Sequence, residues 1–297
     1  MDDAMVEAAA YVLDTVKVGR RWDFSGGFRF DRFDTDYQQT LGTPSAYSRV
    51  DNMPSWRAAA VYKPVSFGSI YVDAGTSFNP SAESLSLSST TASLPPEKNR
   101  TYELGSKWDF PHSRLSLRAA LFRTTKLNAR EPDPNNTLLN VLAGTQRVNG
   151  AQVEVRARLT SRWDLMASYA NLDARVVSSN YYPASIGAQL ANVPRNSFNF
   201  WSTWSLPGRW DTGFGGNFVS SRTASSTAPF DATTGLVKAV PGYWVFNAMA
   251  RHPLAEHVDL QVNLANLANR YYYDELHPGH IVLGPGRSAL IGLKFKF

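Results

Sequence analysis

Residues 22–30 read "WDFSGGFRF". In an extended chain Trp22, Phe24, Gly26, Phe28 and Phe30 fall on one side, and Asp23, Ser25, Gly27 and Arg29 on the other. Successive side chains of a strand point to opposite faces, so the stretch is a β-strand with one uncharged and one charged face. The same division recurs at residues 101–110, 115–123, 151–159, 163–170, 197–206, 210–219, 243–251, 258–265 and 288–297. Less regular runs at 10–18, 56–63 and 69–78 bring the expected total to thirteen strands. In the ten regular strands the apolar face is read as free of Asp, Glu, Lys and Arg, whereas the opposite face carries many. Helical spacing is nearly absent. The chain is all-β.

Two environments enforce such a face. One is the core of a soluble β-sandwich. The other is hydrocarbon, where an Arg or Lys on the lipid side costs about 2–4 kcal/mol at the midplane. The connections separate the two. Short ones are expected around 19–21, 63–68, 110–113, 159–162, 206–209 and 252–257, and long ones around 34–53, 79–99, 126–145, 174–195, 221–241 and 271–286. Short and long alternate without exception. A transmembrane antiparallel up-and-down β-barrel produces this pattern, with tight turns on one rim and loops on the other; a Greek-key sandwich has no reason to. The tripeptide "RWD" agrees: Arg21-Trp22-Asp23, Arg162-Trp163-Asp164 and Arg209-Trp210-Asp211 each follow a short turn. Trp is expected at the membrane interface facing lipid, Asp in the lumen and Arg at the headgroups.

Composition excludes several other classes. No apolar run approaches the roughly 18 residues of a membrane helix, and the start, "MDDAMVEAAAYVL", lacks the basic region of a secretory signal. The chain of 297 residues has no Cys, so neither a disulfide framework nor thiolate metal ligation is available. Its net charge of +5 is scattered rather than gathered in a basic stripe, which gives no footprint for nucleic acid. Thirteen is an odd number, and the alternation puts residues 1–9 on the loop side. Either the chain is the C-terminal part of a larger barrel, or one strand has escaped the count.

Several passages carry a family resemblance. "PPEKNRTYELGSKWDF" (95–110), "LQVNLANLANRYYYDE" (260–275) and "PGRSALIGLKFKF" (285–297) resemble the strand motifs of TonB-dependent siderophore receptors. "GTSFNPSAE" (75–83) and "YYDELHPGHIVLGPGR" (272–287) look most like the ferric-catecholate branch. The resemblance covers essentially the whole chain, read as one segment over residues 1–297. It implies the cell outer membrane of a Gram-negative bacterium, a 22-stranded barrel, and an N-terminal plug and TonB peptide that these residues do not include. It implies as partners a ferric siderophore, the TonB–ExbB–ExbD energy-coupling complex, the barrel assembly machinery, and outer-membrane lipid and lipopolysaccharide. The closing positions Ala289, Ile291, Leu293, Phe295 and Phe297 resemble the signal presented to that machinery. No cofactor is expected, iron entering only within its siderophore.

Catecholate complexes are anionic and ringed by aromatic groups, so Arg with stacking Tyr is the expected recognition chemistry. Candidates at the outer rim are Arg100, Arg147, Arg195, Arg222, Arg270 and Arg287, with Tyr181, Tyr182, Tyr271, Tyr272 and Tyr273. A rim Arg serves equally to bind lipopolysaccharide phosphate, and a rim Tyr to join the aromatic girdle. His277 and His280 in "HPGH" lack a carboxylate or thiolate partner and read as loop contacts to ligand rather than as a metal site. "GPGR" (284–287) reads as a turn, since no helix follows it to make a phosphate loop. Two other functions stand beside the receptor: a small barrel acting as a passive pore, and an outer-membrane hydrolase with its site on the rim. The 297 residues alone are not expected to transport.

Overall fold

The computed structural model describes residues 2–39, 45–80, 95–110, 114–132, 140–224, 238–276 and 280–295. The strands are β1 (Asp2–Val18), β2 (Trp22–Gln39), β3 (Ser45–Val65), β4 (Gly68–Asn79), β5 (Glu97–Phe110), β6 (Leu115–Pro132), β7 (Asn140–Thr160), β8 (Trp163–Ser179), β9 (Asn196–Leu206), β10 (Trp210–Val219), β11 (Arg222–Thr223), β12 (Ala239–Val240), β13 (Tyr243–Ala255), β14 (Val258–Ala265), β15 (Tyr273–Leu276), β16 (Ile281–Leu283) and β17 (Ser288–Phe295). Thirteen of them form one antiparallel sheet in simple order, β1 to β10, then β13, β14 and β17. The pairs β11–β12 and β15–β16 are two-stranded ribbons within the last two loops. Each neighbour in the main sheet is also the next long strand in sequence, so the connections run up and down without a crossover.

Among the described residues no second sheet covers the apolar face. Val12, Val72, Leu104, Leu121 and Ile291 remain 49–68% exposed on it. A soluble sandwich would bury these side chains, whereas a lipid-facing wall leaves them bare of protein. Among the described residues no helix is long and apolar enough to cross a membrane, so spanning falls to strands.

Register confirms the faces. Residues directly opposite in a ladder share a face. Trp22, Tyr62, Ile70, Ser106, Ala119, Val153, Tyr169, Phe198, Phe218 and Trp244 follow one another from β2 to β13 on the apolar side. The opposite side is laced by ion pairs such as Arg57–Asp73 at 2.7 Å and Lys126–Glu97 at 3.0 Å. Tyr71 donates from its hydroxyl to Glu103 Oε1 at 2.5 Å, with Lys107 Nζ 5.1 Å from its ring centre. A groove of about 390 Å³ lies on this side, lined by Tyr71, Lys107, Arg118, Glu154 and Ser168 among others.

The three RWD copies fall into one geometry. Trp22 packs on Tyr62 at 4.6 Å between ring centres, Trp163 on Trp204 at 6.4 Å and Trp210 on His252 at 4.5 Å, all on the apolar side. Each Asp turns to the other side and pairs with a cation of a neighbouring strand: Asp23 with Lys63, Asp164 with Arg158, Asp211 with Arg251. The tight turns between these strands use left-handed backbone, at Gly19 (φ 63°) and at Gly208 (φ 78°) followed by Arg209 (φ 63°).

Three expectations need correction. Residues 2–9 are not loop but the upper half of β1, paired rung by rung with residues 31–38 of β2. The loops expected at 34–53 and 126–145 shrink to the stretches between β2 and β3 and between β6 and β7, because the ladders continue above the apolar band. There both faces are wet, so pairing persists while alternation of hydrophobicity stops. Third, the apolar face is not wholly free of charge. Arg123, at the end of a run read as clean, lies opposite Tyr102 on that face; in the less regular run 10–18, to which that expectation did not extend, Asp14 lies opposite Gly26 on the same face.

Candidate ligand site at the loop rim

The residues after β14 fold around Asn266. Its backbone is left-handed (φ 50°), a conformation Asn tolerates better than most residues. Its side chain is buried; Nδ2 donates to the carbonyls of Arg270 (2.8 Å) and Pro285 (3.0 Å), and Oδ1 accepts from the Arg270 N–H at 2.7 Å. Asn269 repeats the device, its Oδ1 accepting from the Arg287 N–H at 3.1 Å. The "NLAN" stretch is therefore the clasp that closes the last loop on itself and hands the chain to β17.

That clasp sets Tyr271, Tyr272 and Tyr273 in a row. Tyr272 packs on Tyr243 with ring centres 4.5 Å apart, and Tyr271 meets Tyr273 edge-on at 5.6 Å. Gly284 leaves room for this packing, since a Cβ there would stand 2.0 Å from the Tyr272 ring. Burial, with Asp274 nearby, pushes the Tyr272 hydroxyl above its ordinary range. The group therefore stays a neutral donor at physiological pH.

Arg222 joins three loops at one point. Its guanidinium donates to the carbonyls of Tyr273 (2.6 Å) and Asp274 (2.7 Å) and to Asn192 Oδ1 (3.1 Å), and it lies 5.9 Å from the centre of the Tyr243 ring. Beside it Ala224, Val240 and Leu276 form a small buried cluster against Tyr273. An Arg at this point draws the segments after β8, β10 and β14 into one surface. Its Nε is buried without a partner.

The candidates named from sequence separate into groups. Arg222, Tyr272 and Tyr273 are brought together as the scaffold of this surface, Arg222 being turned into the protein rather than toward solvent. Tyr271, at 66% exposure, and the exposed Arg270, His280 and Arg287 lie on the same loop. Arg195 is exposed just before β9, and Tyr181 is exposed in the loop after β8, where the Tyr182 N–H donates to Ser179 Oγ at 2.8 Å. Arg100 and Arg147 stand apart from this surface. Arg100 shares its face with Tyr102 and Leu104, and Arg147 lies opposite Thr125 on that same apolar side, so neither turns to the lumen. Ile291, Leu293 and Phe295 are exposed on the apolar side of β17. His277 and Phe297 lie outside the described residues. Among the described residues no cluster of His, Asp and Glu could hold a metal ion.

Sequence reasoning missed Tyr243, Asn192 and Asp274. Tyr243 could have been found by counting along β13, where odd positions turn to the charged side; Asn192 and Asp274 matter only through the fold of their loops.

A family model described as "TonB dependent receptor-like, beta-barrel" matches residues 3–267. A probable TonB-dependent receptor of Bordetella pertussis, BfrD, is 33% identical over 97% of this chain and 40% of its own length. The probable siderophore receptor PiuA of Acinetobacter baumannii is 31% identical over 99% of this chain and 41% of its own. The crystal structure of PiuA superposes with a TM-score of 0.89 at 26% identity, over 99% of this chain and 44% of that one. The ferric-catecholate import receptor Fiu of Escherichia coli, in its closed form, superposes with a TM-score of 0.85 at 24% identity and shows the same fold. The chain thus spans about two fifths of the curated relatives it matches.

Proposed function

Because this chain belongs to the TonB-dependent receptor β-barrel family, whose members are outer-membrane proteins, we propose that it forms wall and loops of a receptor that captures a ferric siderophore of the catecholate class. In the whole receptor, uptake draws on the TonB–ExbB–ExbD complex. The observation that carries the reading is the convergence of Tyr271, Tyr272, Tyr273 and Tyr243 around Arg222 at the loop rim, with Arg270 and Arg287 exposed beside them. An anionic complex with aromatic edges is met there by cations and by ring faces and edges. Arg222 serves as the positioning residue. Arg195, Arg270, Arg287, Tyr271 and His280 serve as contacts.

The relatives are named as receptors and not as enzymes or passive pores, so neither alternative is favoured. The test is equilibrium binding of a ferric tris-catecholate and a ferric tris-hydroxamate to the chain folded in detergent. Preference for the catecholate, reduced by Arg270→Gln and Tyr271→Ala, supports the reading. Equal binding of the two, or no effect of either variant, refutes the assignment of class and site.

A further inference from the structure

The chain holds eight tryptophans, and the ladders sort them by face. Trp201 alone turns to the wet side, opposite Met166 on β8 and Gly215 on β10. The others stand on the apolar side, as Trp56 does opposite Phe28, Trp108 opposite Leu117 and Trp244 opposite Phe218. Contact with lipid and its interface accounts for those. It does not account for Trp201.

The indole has a seat made for it. A Cβ at Gly213 would stand 2.6 Å from the ring and one at Gly215 2.4 Å, so the ring lies flat along β10 where those residues have no side chain. It is half-buried, with one face on the backbone and the other toward the lumen. Three residues at about 3.4 Å each, tilted about 40°, put it roughly 8 Å above Trp204 in the lower girdle, well below the loop rim. Met166, 41% exposed, flanks it. Asn199 and Asn217 face one another one step above, and Asn247 lies opposite Gly215. The groove of about 390 Å³ on this side reaches Ser168, Ala170, Ser197 and Asn199, whose small side chains leave space beside the ring.

The surroundings are neutral. From the Asp211–Arg251 ion pair up to the loop rim, the wet sides of β9, β10, β13 and β14 carry no Asp, Glu, Lys or Arg. The same side of β3 to β7 carries Arg57, Asp73, Glu103, Arg118 and Glu154. One half of the wall is thus laced with charge, and the other offers amides around a single ring face.

We propose that Trp201 is a stacking platform for a neutral, flat ring edged with hydroxyl groups, held in the lumen below the loop rim. The face of an aromatic ring is negative, so it attracts polarised C–H groups and repels anions. Amide side chains both donate and accept, which matches hydroxyls without calling for charge. Two sources share this chemistry, a pyranose sugar and an uncomplexed catechol. The proposal rests on the assignment of faces and not on the siderophore reading.

The experiment is fluorine NMR of the full chain folded in detergent, with 5-fluorotryptophan at all eight positions. Loss of one resonance in Trp201→Phe identifies that of Trp201. Methyl glucoside and catechol are titrated separately, each beside an anionic counterpart, glucuronate and a disulfonated catechol. A neutral ring is expected to move the Trp201 resonance saturably, with a midpoint of about 1–10 mM, and to leave the lipid-facing resonances in place. Its anionic counterpart is expected to bind about tenfold more weakly or less. Movement by methyl glucoside assigns a sugar, and movement by catechol alone assigns an arenediol. Gly213→Ala sets a methyl against the indole and no other group; it is expected to weaken binding about fivefold or more. Asn217→Ala, which removes one amide, is expected to weaken it about fivefold, and it decides alone if Gly213→Ala disturbs the other resonances. No movement by either neutral ring up to about 100 mM overturns the platform. So does equal movement by the anionic rings, equal movement of the lipid-facing tryptophans, or binding unchanged in both variants.

Discussion

Ala167 and Ser168 are neighbours in β8 that face opposite ways. Ala167 lies between Val155 and Phe200 on the apolar side, and Ser168 lies between Glu154 and Asn199 on the charged side. Ala167 is midway between Trp163, in the lower girdle, and the polar Asn171. Four residues at about 3.4 Å each, tilted about 40°, place it roughly 10 Å above that girdle, near the centre of an apolar band about 25 Å tall. Ala167→Arg should then cost about 2–4 kcal/mol, a 30- to 900-fold shift of the folding equilibrium. Ser168→Arg enters a wet lumen opposite Glu154 and should change stability by no more than about 0.5 kcal/mol. Guanidinium titration of the chain folded into phospholipid vesicles, read by tryptophan fluorescence, measures both. Equal costs for the two variants, or a larger one for Ser168→Arg, would refute the assignment of faces.

Other consequences follow from the loop rim and the girdle. Asn266→Ala removes three side-chain hydrogen bonds and strains a left-handed backbone; it should destabilise the last loop by about 2–4 kcal/mol, visible as faster amide exchange over residues 266–287 while β5–β8 are unchanged. Gly284→Ala places a methyl against the Tyr272 ring and should free that ring from Tyr243, lowering catecholate affinity with little effect on the sheet. Arg222→Lys cannot reach both loop carbonyls and Asn192 at once, so limited proteolysis should open the loops after β10 and β14 while the barrel strands resist. Asp164→Asn removes an exposed ion pair with Arg158 and should cost less than about 1 kcal/mol in the same titration, since such pairs are screened.

The sheet was legible where hydrocarbon constrains sequence. Hydrocarbon tolerates no error at Trp163, Leu165, Ala167 and Tyr169, so alternation there is clean and the strand can be read. Above the band, residues 31–38 of β2 carry charged or polar side chains on both faces, with Phe33 and Tyr37 the exceptions, and it is the backbone ladder with β1 that shows them to be strand. The three RWD copies were legible in role because Trp and Asp one residue apart must part to opposite faces. Site residues fared less evenly. Arg100 and Arg147 were picked for their height, yet parity with Tyr102 and Ala151 places both on the lipid side, so the signal was present in the spacing. Arg123 hid at the end of a run whose first four outward residues are apolar. Arg222 was found as a rim cation, but its part in joining the segments after β8, β10 and β14 depends on how those loops meet, which no local pattern encodes.

The chain contains no Cys, so single cysteines can be placed along 102–110 of β5 without background. In intact outer membranes a water-soluble maleimide should leave Leu104→Cys, Ser106→Cys and Trp108→Cys unmodified, while a lipid-soluble one reaches them. Glu103→Cys and Lys107→Cys, turned to the lumen, should react with the water-soluble reagent. Alternating protection along the strand is the result expected of a wall with lipid on one side and water on the other. Uniform labelling of all five positions, or the reverse alternation, would contradict it.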